Sequence, residues 1–120
     1  MARLVYLSTY GSDDPTRAAL PFYLANGAIE AGHQAEIALT GEAVYLMRDD
    51  TVDAVQPVGW PSLRELFDKV VQSGVAIHVC RRCADVRGLG EADLRGKNAR
   101  FTSPQEFANI CAEADQVIGG

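Results

Sequence analysis

A repeated order of elements constrains the fold of this chain more than any other feature. An amphipathic helix, a glycine and an apolar run of strand length occur twice, in "EAGHQAEIAL" and "QSGVAIHV". The clearest helix spans 61–74, where apolar residues recur at helical spacing up to a terminal glycine. The run 75–80 that follows is continuously apolar, which is typical of a parallel strand covered on both faces. The pattern predicts a three-layer α/β/α domain with a mostly parallel sheet of about five strands.

The other elements follow from caps, glycines and local patterning. A helix is expected from Pro15, after an Asp14 N-cap, up to a stop at Gly32. Residues 42–50 are expected to form a short helix, and 51–60 a loop with a little extended structure. Further helical segments are predicted at 81–87, 91–95 and 103–114, the last with a Ser103–Glu106 capping box. The remaining strands are predicted at 3–9, 34–40, 98–103 and 116–119.

Length, charge and hydropathy limit the class of protein. The chain has 120 residues, which predicts a single domain over 1–120. A net charge of −5 argues against a nucleic-acid or anionic-membrane partner, since both favour a basic surface. No stretch approaches the ~20 apolar residues of a membrane span, and the first apolar run is too short for a signal peptide. We therefore expect a cytoplasmic protein, and nothing in the sequence predicts a cofactor.

The segment "HVCRRC" is the main candidate for chemistry. Strand alternation places His78 and Cys80 on one face of the sheet, with Cys80 at the carboxyl end of its strand. A helix beginning near Arg81 would direct backbone N–H groups at the thiol, and Arg81 and Arg82 would add positive charge. These effects predict a thiol pKa below the ordinary value of about 8.5. Cys83, one helical turn away, is a candidate resolving thiol.

Other interpretations of the same cysteines remain open. The thiols could merely be packed at a strand–helix junction, because free cysteine is often buried. A zinc site would use His78, Cys80 and Cys83, with Cys111 or His33 as a distant fourth ligand. Structural zinc normally uses two paired knuckles and only one is present, so no metal site is predicted. His78 is expected to be a packed strand histidine rather than a ligand or a base.

The loop after the first strand, "STYGSDDPTRA", is a second candidate for binding. It is rich in Ser, Thr and Gly before a helix, as phosphate loops are. It lacks the Gly-x-x-x-x-Gly-Lys spacing, and Asp13 and Asp14 would repel a phosphate, so a capped helix start is the favoured interpretation. The loop should still reach the rim of the sheet near the cysteines. We expect Thr9, Tyr10 and Thr16 to line the same cleft.

Four segments together resemble the DsrE/DsrF-like family, in its small stand-alone DsrE branch. They are "STYGSDDPTRAALPF", "AGHQAEIALTGEA", "AIHVCRRCADVRGL" and "LRGKNARFTSPQEFA", so the resemblance extends over essentially the whole chain. It implies a five-stranded parallel sheet between helices, and assembly as a homotrimer or homohexamer. It also implies that Cys80 matches the cysteine that carries a persulfide in the sulfur-relay members. Cys83 fits the extra cysteine of the stand-alone branch.

The sequence therefore leaves three candidate functions. The first is sulfur or thiol redox handling, in which Cys80 takes sulfane sulfur from a donor and Cys83 or an acceptor protein removes it. The second is a non-enzymatic oligomeric module whose rim cleft binds a small ligand or a partner. The third is a zinc-binding domain.

Overall fold

The structure is a computed structural model that describes residues 1–119, and its centre is a parallel sheet. The strands are β1 (Arg3–Ser8), β2 (Gln34–Leu39), β3 (Ala76–Cys80), β4 (Ala99–Thr102) and β5 (Gln116–Gly119). They lie in the order β4-β3-β2-β1-β5, and every neighbouring pair is parallel. The predicted five-stranded α/β sheet is confirmed, and it is parallel throughout these strands.

Helices connect the strands. They are α1 (Pro15–Glu30), α2 (Asp49–Ala54), α3 (Leu63–Gln72), α4 (Arg81–Val86), α5 (Glu91–Leu94) and α6 (Pro104–Glu113), with a 3-10 helix at Gly41–Met47. The predicted helix at 42–50 is instead divided by the extended residue Arg48, and α2 occupies part of the predicted loop 51–60. The α2 helix has a single buried side chain, that of Val52, and so it has no apolar periodicity to reveal it. Within residues 1–119, no helix is long and apolar enough to cross a membrane.

The order of the strands explains how the helices are divided between the two faces. From β1 to β4 the chain advances one strand at a time in the same direction across the sheet. It then returns from β4 to β5, on the far side of β1. Because parallel crossovers are right-handed, the reversal of direction moves the last helix to the opposite face. The α6 helix accordingly covers the face that carries Val5 and Ala38, whereas α1 and α3 cover the other.

The two faces of the sheet differ in size and chemistry. The face under α1 and α3, which we name the core face, holds most of the buried apolar residues; its large side chains include Phe22, Ile37, Leu39, Leu63, Phe67 and Ile77. The face under α6, which we name the cavity face, has a small apolar cluster of Val5, Ala38 and Ile110, with Phe107 and Leu7 beside it. It also carries buried polar side chains, which the core face largely excludes.

Candidate functional site

A crevice is expected where β3 and β4 end. Cys80, the last residue of β3, is the register partner of Thr102, the last residue of β4. The chain leaves β3 for α4 on the side of the core face, and it leaves β4 for α6 on the cavity face. Neighbouring strands whose connections diverge in this way open a crevice at their carboxyl ends, where ligands bind in parallel α/β sheets. The topology therefore places Cys80 at a topological switch point, where the connections from two neighbouring strands leave on opposite faces of the sheet.

A cavity of about 170 Å³ lies at this place. It is bounded by the ends of β2, β3 and β4 and by the first turn of α6. Its lining consists of Ala38, Leu39, Thr40, His78, Cys80, Thr102, Ser103, Pro104 and Phe107. The Ser103–Glu106 capping box fixes the start of α6 beside it, with the Glu106 N–H donating to Ser103 Oγ at 3.1 Å and the Ser103 N–H donating to Glu106 Oε1 at 2.9 Å.

Cys80 is half-buried, and its sulfur is held at the β3–α4 junction. Its Sγ accepts the backbone N–H of Cys83 at 3.4 Å, as the N-cap of α4. Burial nevertheless raises the pKa of the Cys80 thiol, and the neighbouring Cys83 side chain acts in the same direction. The predicted depression of this pKa is therefore wrong. The backbone N–H groups of Cys83 and Arg82 lower this pKa, but they do not offset the loss of water around the thiol.

The two arginines do not provide the expected positive charge at the thiol. Arg81 extends over the ring of Phe101, 4.7 Å from its centroid, and its Nη2 lies 3.7 Å from a Glu91 carboxylate oxygen. Arg82 is exposed. Neither residue belongs to the lining of the cavity. Their predicted role as binding residues is therefore not supported by a contact at this site.

A buried ion pair lies behind the cavity on the same face. Glu36, in the middle of β2, accepts from Arg3 Nε at 2.5 Å and contacts His78 Nε2 at 2.9 Å. Burial opposes ionisation of Glu36, but the hydrogen bonds from Arg3 and His78 outweigh it and hold the carboxyl pKa below its usual value. An ionised carboxylate only accepts hydrogen bonds, so His78 Nε2 carries the proton in this contact.

The other ring nitrogen of His78 has a different environment. The residue is 4% exposed, as expected for a packed strand histidine. Its Nδ1 is buried and has no hydrogen-bond partner within residues 1–119. Buried polar atoms are rarely left in this state, and His78 lines the cavity together with Cys80. Glu36 was not among the predicted site residues, although a carboxylate inside the apolar strand "QAEIAL", beside a strand that carries a histidine, indicates a buried polar pair.

The residues predicted in the first loop lie elsewhere on the rim. Thr9 is exposed, and the Tyr10 hydroxyl accepts a hydrogen bond from Arg17 at 3.1 Å. Thr16 Oγ1 accepts the backbone N–H of Val58 at 3.2 Å, and so it anchors the loop before α3. None of these three threonine and tyrosine side chains belongs to the lining of the cavity beside Cys80. The structure does not bring these three side chains into the cavity, because α6, and not the first loop, forms its outer wall.

The zinc alternative lacks a suitable set of ligands. No group of three or more metal-ligating side chains occurs in the part of the chain that the structure describes. His33 precedes β2 at the opposite end of the sheet, where its Nδ1 accepts the Ala2 N–H at 2.9 Å. Cys111 lies seven residues into α6, roughly 10 Å along the helix from its start. The proposed ligands are therefore distributed over both ends of the sheet.

Comparison with known proteins places the chain in a family. The sequence model of the DsrE/DsrF-like family matches residues 2–119. The chain belongs to the DsrE/DsrF-like family. The predicted membership is confirmed, and it associates the protein with a family related to sulfur relay without assigning a role to any cysteine.

Related sequences and structures agree with this membership. Two proteins of Methanocaldococcus jannaschii, uncharacterized proteins MJ0760 and MJ0989, are each 28% identical, over 76% and 83% of this chain. The match spans 33% of the length of MJ0760 and 82% of that of MJ0989. The fold is similar to that of the ychN protein from E. coli, with a TM-score of 0.80, 17% identity and full coverage of both chains. It is also similar to MTH1491 from Methanobacterium thermoautotrophicum, with a TM-score of 0.75, 15% identity and full coverage of both chains.

Proposed function

We propose that this DsrE/DsrF-like protein is a cytoplasmic sulfur carrier that holds sulfane sulfur as a persulfide on Cys80. The observation that carries the proposal is the position of the thiol, which lines an apolar cavity at the switch point between β3 and β4. A persulfide needs room for one more large, polarizable atom, and the cavity supplies it. Partial burial also limits access of oxidants to a species that is readily oxidised further.

The transfer is a displacement at sulfur. The Cys80 thiolate attacks the sulfane sulfur of a persulfide donor R–S–S⁻, forming a new S–S bond while the donor's S–S bond breaks and R–S⁻ leaves. The product is Cys80–S–S⁻, and no external oxidant is consumed. An acceptor thiolate then attacks the outer sulfur and leaves Cys80 as the thiolate again. The cycle moves one sulfur atom and keeps the number of electrons constant.

Cys83 has a more limited role in this proposal. Its backbone N–H contacts the Cys80 sulfur, and this contact is independent of its side chain. The Cys83 thiol is half-buried and free, as are Cys80 and Cys111. It is therefore a candidate to receive the outer sulfur when no acceptor protein is bound, or to release sulfide by forming a disulfide with Cys80.

Intact-mass measurement tests the proposal. The wild-type protein is incubated with a sulfane-sulfur donor, and Cys80→Ser, Cys83→Ser and Cys111→Ser serve as matched variants. The wild type and Cys111→Ser should gain one sulfur atom at equal rates, and Cys80→Ser should gain none. Equal sulfur uptake by Cys80→Ser and wild type would show that Cys80 is not the residue that carries the sulfur.

One observation favours a binding module that does no sulfur chemistry. Burial raises the pKa of the Cys80 thiol, so the reactive thiolate is a minor species at neutral pH. In that case Cys80 would be merely a wall of an apolar pocket for a small ligand. Alkylation of Cys80 no faster than that of a free model thiol across pH 6–9, together with no sulfur uptake, would favour this second function.

We also propose that the protein assembles with copies of itself, as a trimer or hexamer. The edge strand β5 leaves Val117 and Ile118 substantially exposed, at 43% and 37%. An exposed apolar edge strand is a site that proteins commonly cover by association. Light scattering coupled to gel filtration measures the mass directly, and a monomer at micromolar concentration would contradict the proposal.

A further inference from the structure

The cavity beside Cys80 has a composition that selects among sulfur donors. Most of its wall is apolar, formed by residues such as Ala38, Leu39 and Phe107. No lysine or arginine is found among its described lining residues. A dianion such as thiosulfate would lose its hydration shell there without gaining a cationic partner, which is costly. The volume of about 170 Å³ is close to that of a cavity that holds one benzene molecule, so glutathione persulfide is too large to enter whole.

Among the polar groups that line the cavity, one buried nitrogen has no hydrogen-bond partner within residues 1–119. Thr102 Oγ1 donates to the Val79 carbonyl at 3.4 Å, Ser103 Oγ accepts the Glu106 N–H of the α6 cap, and Thr40 adds a hydroxyl at the end of β2. His78 Nδ1 is the buried polar side-chain atom that lacks a partner in the described chain. Glu36 contacts Nε2 on the opposite side of the ring at 2.9 Å, which favours the tautomer in which Nδ1 carries the lone pair. A ligand for this cavity is therefore small, largely apolar, and able to exchange one proton with an imidazole.

We propose that the cavity binds a short inorganic hydropolysulfide, and that His78 Nδ1 exchanges the proton that its reaction with Cys80 requires. This inference rests on the proposed function and names the donor class for the same site. A chain of a few sulfur atoms is apolar and polarizable along its length, carries a single negative charge, and fits the volume. Glu36 and Arg3 are positioning residues, because they act on the substrate through His78.

The proton balance of the step requires a group of this kind. His78 accepts the proton of the Cys80 thiol, and the thiolate attacks the terminal S–H sulfur of HS–S–S⁻. The new Cys80–S–SH bond forms as the donor's S–S bond breaks, and the S₂²⁻ that leaves takes the proton back from His78 as HS₂⁻. The net change is Cys80–SH + HS₃⁻ → Cys80–S–SH + HS₂⁻. The raised pKa of the buried thiol explains why the attack needs a proton acceptor.

The pH dependence of the step involves a defined set of neighbours. The charged or titratable groups that face His78 or Cys80 come from every adjacent element. They are Glu36 on β2, Arg3 on β1, Arg100 beside His78 on β4, Glu113 of α6 through Arg3, and Cys83 of α4. Of these, Glu36 and Arg3 form an ion pair, and Glu36 in turn holds the His78 ring through its Nε2.

The test compares donors and variants by following the rate at which Cys80 gains sulfur. Wild type, His78→Gln and His33→Gln are each treated with polysulfide, thiosulfate and glutathione persulfide between pH 6 and pH 9. His78→Gln keeps an amide donor for Glu36 but lacks the nitrogen at the Nδ1 position, and His33→Gln alters the histidine at the other end of the sheet. Circular dichroism establishes that each variant is folded.

We expect polysulfide to load the wild type faster than either other donor. At pH 6.5 His78→Gln should load about a hundredfold more slowly than wild type, the magnitude of a lost proton-transfer group, and His33→Gln should match wild type. The difference should shrink towards pH 9, because the fraction of thiolate that forms without a protein base rises with pH. Equal loading of His78→Gln and wild type at pH 6.5 would overturn the proposal, as would equal loading of the wild type by thiosulfate and polysulfide.

Failure of the underlying function gives a different result. If Cys80 is not a sulfur carrier, no donor loads the wild type beyond the level of Cys80→Ser. If His78→Gln does not fold, the donor comparison in the wild type alone decides the substrate class. In that case His78→Asn takes its place, and loading of this variant by polysulfide at the wild-type rate at pH 6.5 would contradict the role of His78.

Discussion

The two faces of the sheet divide stability and chemistry between them. The core face is covered by α1 and α3, and its Phe22 and Phe67 rings lie 5.5 Å apart in a continuous apolar cluster. The cavity face is covered by α6, with a small apolar cluster, a buried Glu36–His78 pair and a cavity beside Cys80. A large core tolerates a second face that is incompletely filled and holds one buried polar atom, His78 Nδ1, without a hydrogen-bond partner within residues 1–119. The candidate site therefore lies on the less completely packed of the two faces.

Truncation of the core face should have the largest effect on stability. Phe22 is fully buried, so Phe22→Ala should lower the free energy of unfolding by about 3–5 kcal/mol. Phe107 on the cavity face is half-buried, and Phe107→Ala should cost about 1–2 kcal/mol, because less apolar surface is lost. Urea unfolding of both variants measures the contrast. Equal losses would mean that the two faces contribute alike to stability.

The Glu36 pair should make stability depend on pH. Its folded pKa is below the unfolded value of about 4.3, so the pair stabilises the fold above that pH, and the stabilisation is lost as the pH falls through the folded pKa. Glu36→Gln should lower the free energy of unfolding by about 1.5–3 kcal/mol at pH 7. Between pH 5 and pH 2, the free energy of unfolding of this variant should vary less than that of the wild type. The exposed Glu30→Gln is the control. If the free energy of unfolding of Glu36→Gln depended on acid pH as strongly as that of the wild type, the stabilising role of the Glu36 carboxylate would be wrong.

Two serine N-caps, one on each face of the sheet, allow the faces to be compared through substitutions with the same expected loss of stability. Ser62 Oγ caps α3 on the core face, and Ser103 Oγ caps α6 at the cavity wall. Ser62→Ala and Ser103→Ala should each lower stability by about 1 kcal/mol. Only Ser103→Ala should change the rate of sulfur loading at Cys80, because it loosens the wall formed by Ser103, Pro104 and Phe107. Identical loading by the two variants would show that the α6 wall does not shape the site.

The smallest effect is expected at Arg81. Its guanidinium contacts Phe101 and Glu91 at the surface, and such contacts contribute about 0.5 kcal/mol. Arg81→Ala should therefore leave the alkylation rate of Cys80 unchanged between pH 6 and pH 9. A marked slowing at neutral pH would restore the sequence-based hypothesis that this arginine activates the thiol.

The sequence predicted those features that depend on periodicity and local signals. The order of helix, glycine and apolar strand specified the parallel sheet, and alternation along "HVC" placed His78 and Cys80 together at a strand end. The short α2 escaped prediction, because a helix with one buried residue has no detectable period.

The electrostatics of the site depended on contacts that are distant in sequence. The pKa of Cys80 could not be obtained from neighbouring arginines, since it depends mainly on burial and the Arg81 side chain extends over Phe101 instead. The Glu36–His78 pair joins residues 42 positions apart on β2 and β3. The sequence does not show that they are neighbours, because this depends on the pairing register of the two strands. The first loop was expected at the cavity because the return crossover through α6 was not predicted from local patterns.

The most direct test is the order in which the cysteines of one molecule gain sulfur. Cys80 and Cys111 are both half-buried and free, but only Cys80 of the two lines the cavity. Wild-type protein is treated with polysulfide, trapped by alkylation at successive times and digested, and the persulfide fraction is measured by mass spectrometry at each cysteine. The account predicts that Cys80 is loaded first and that Cys111 stays unmodified on the same time scale. Loading of Cys111 as fast as Cys80 would contradict it.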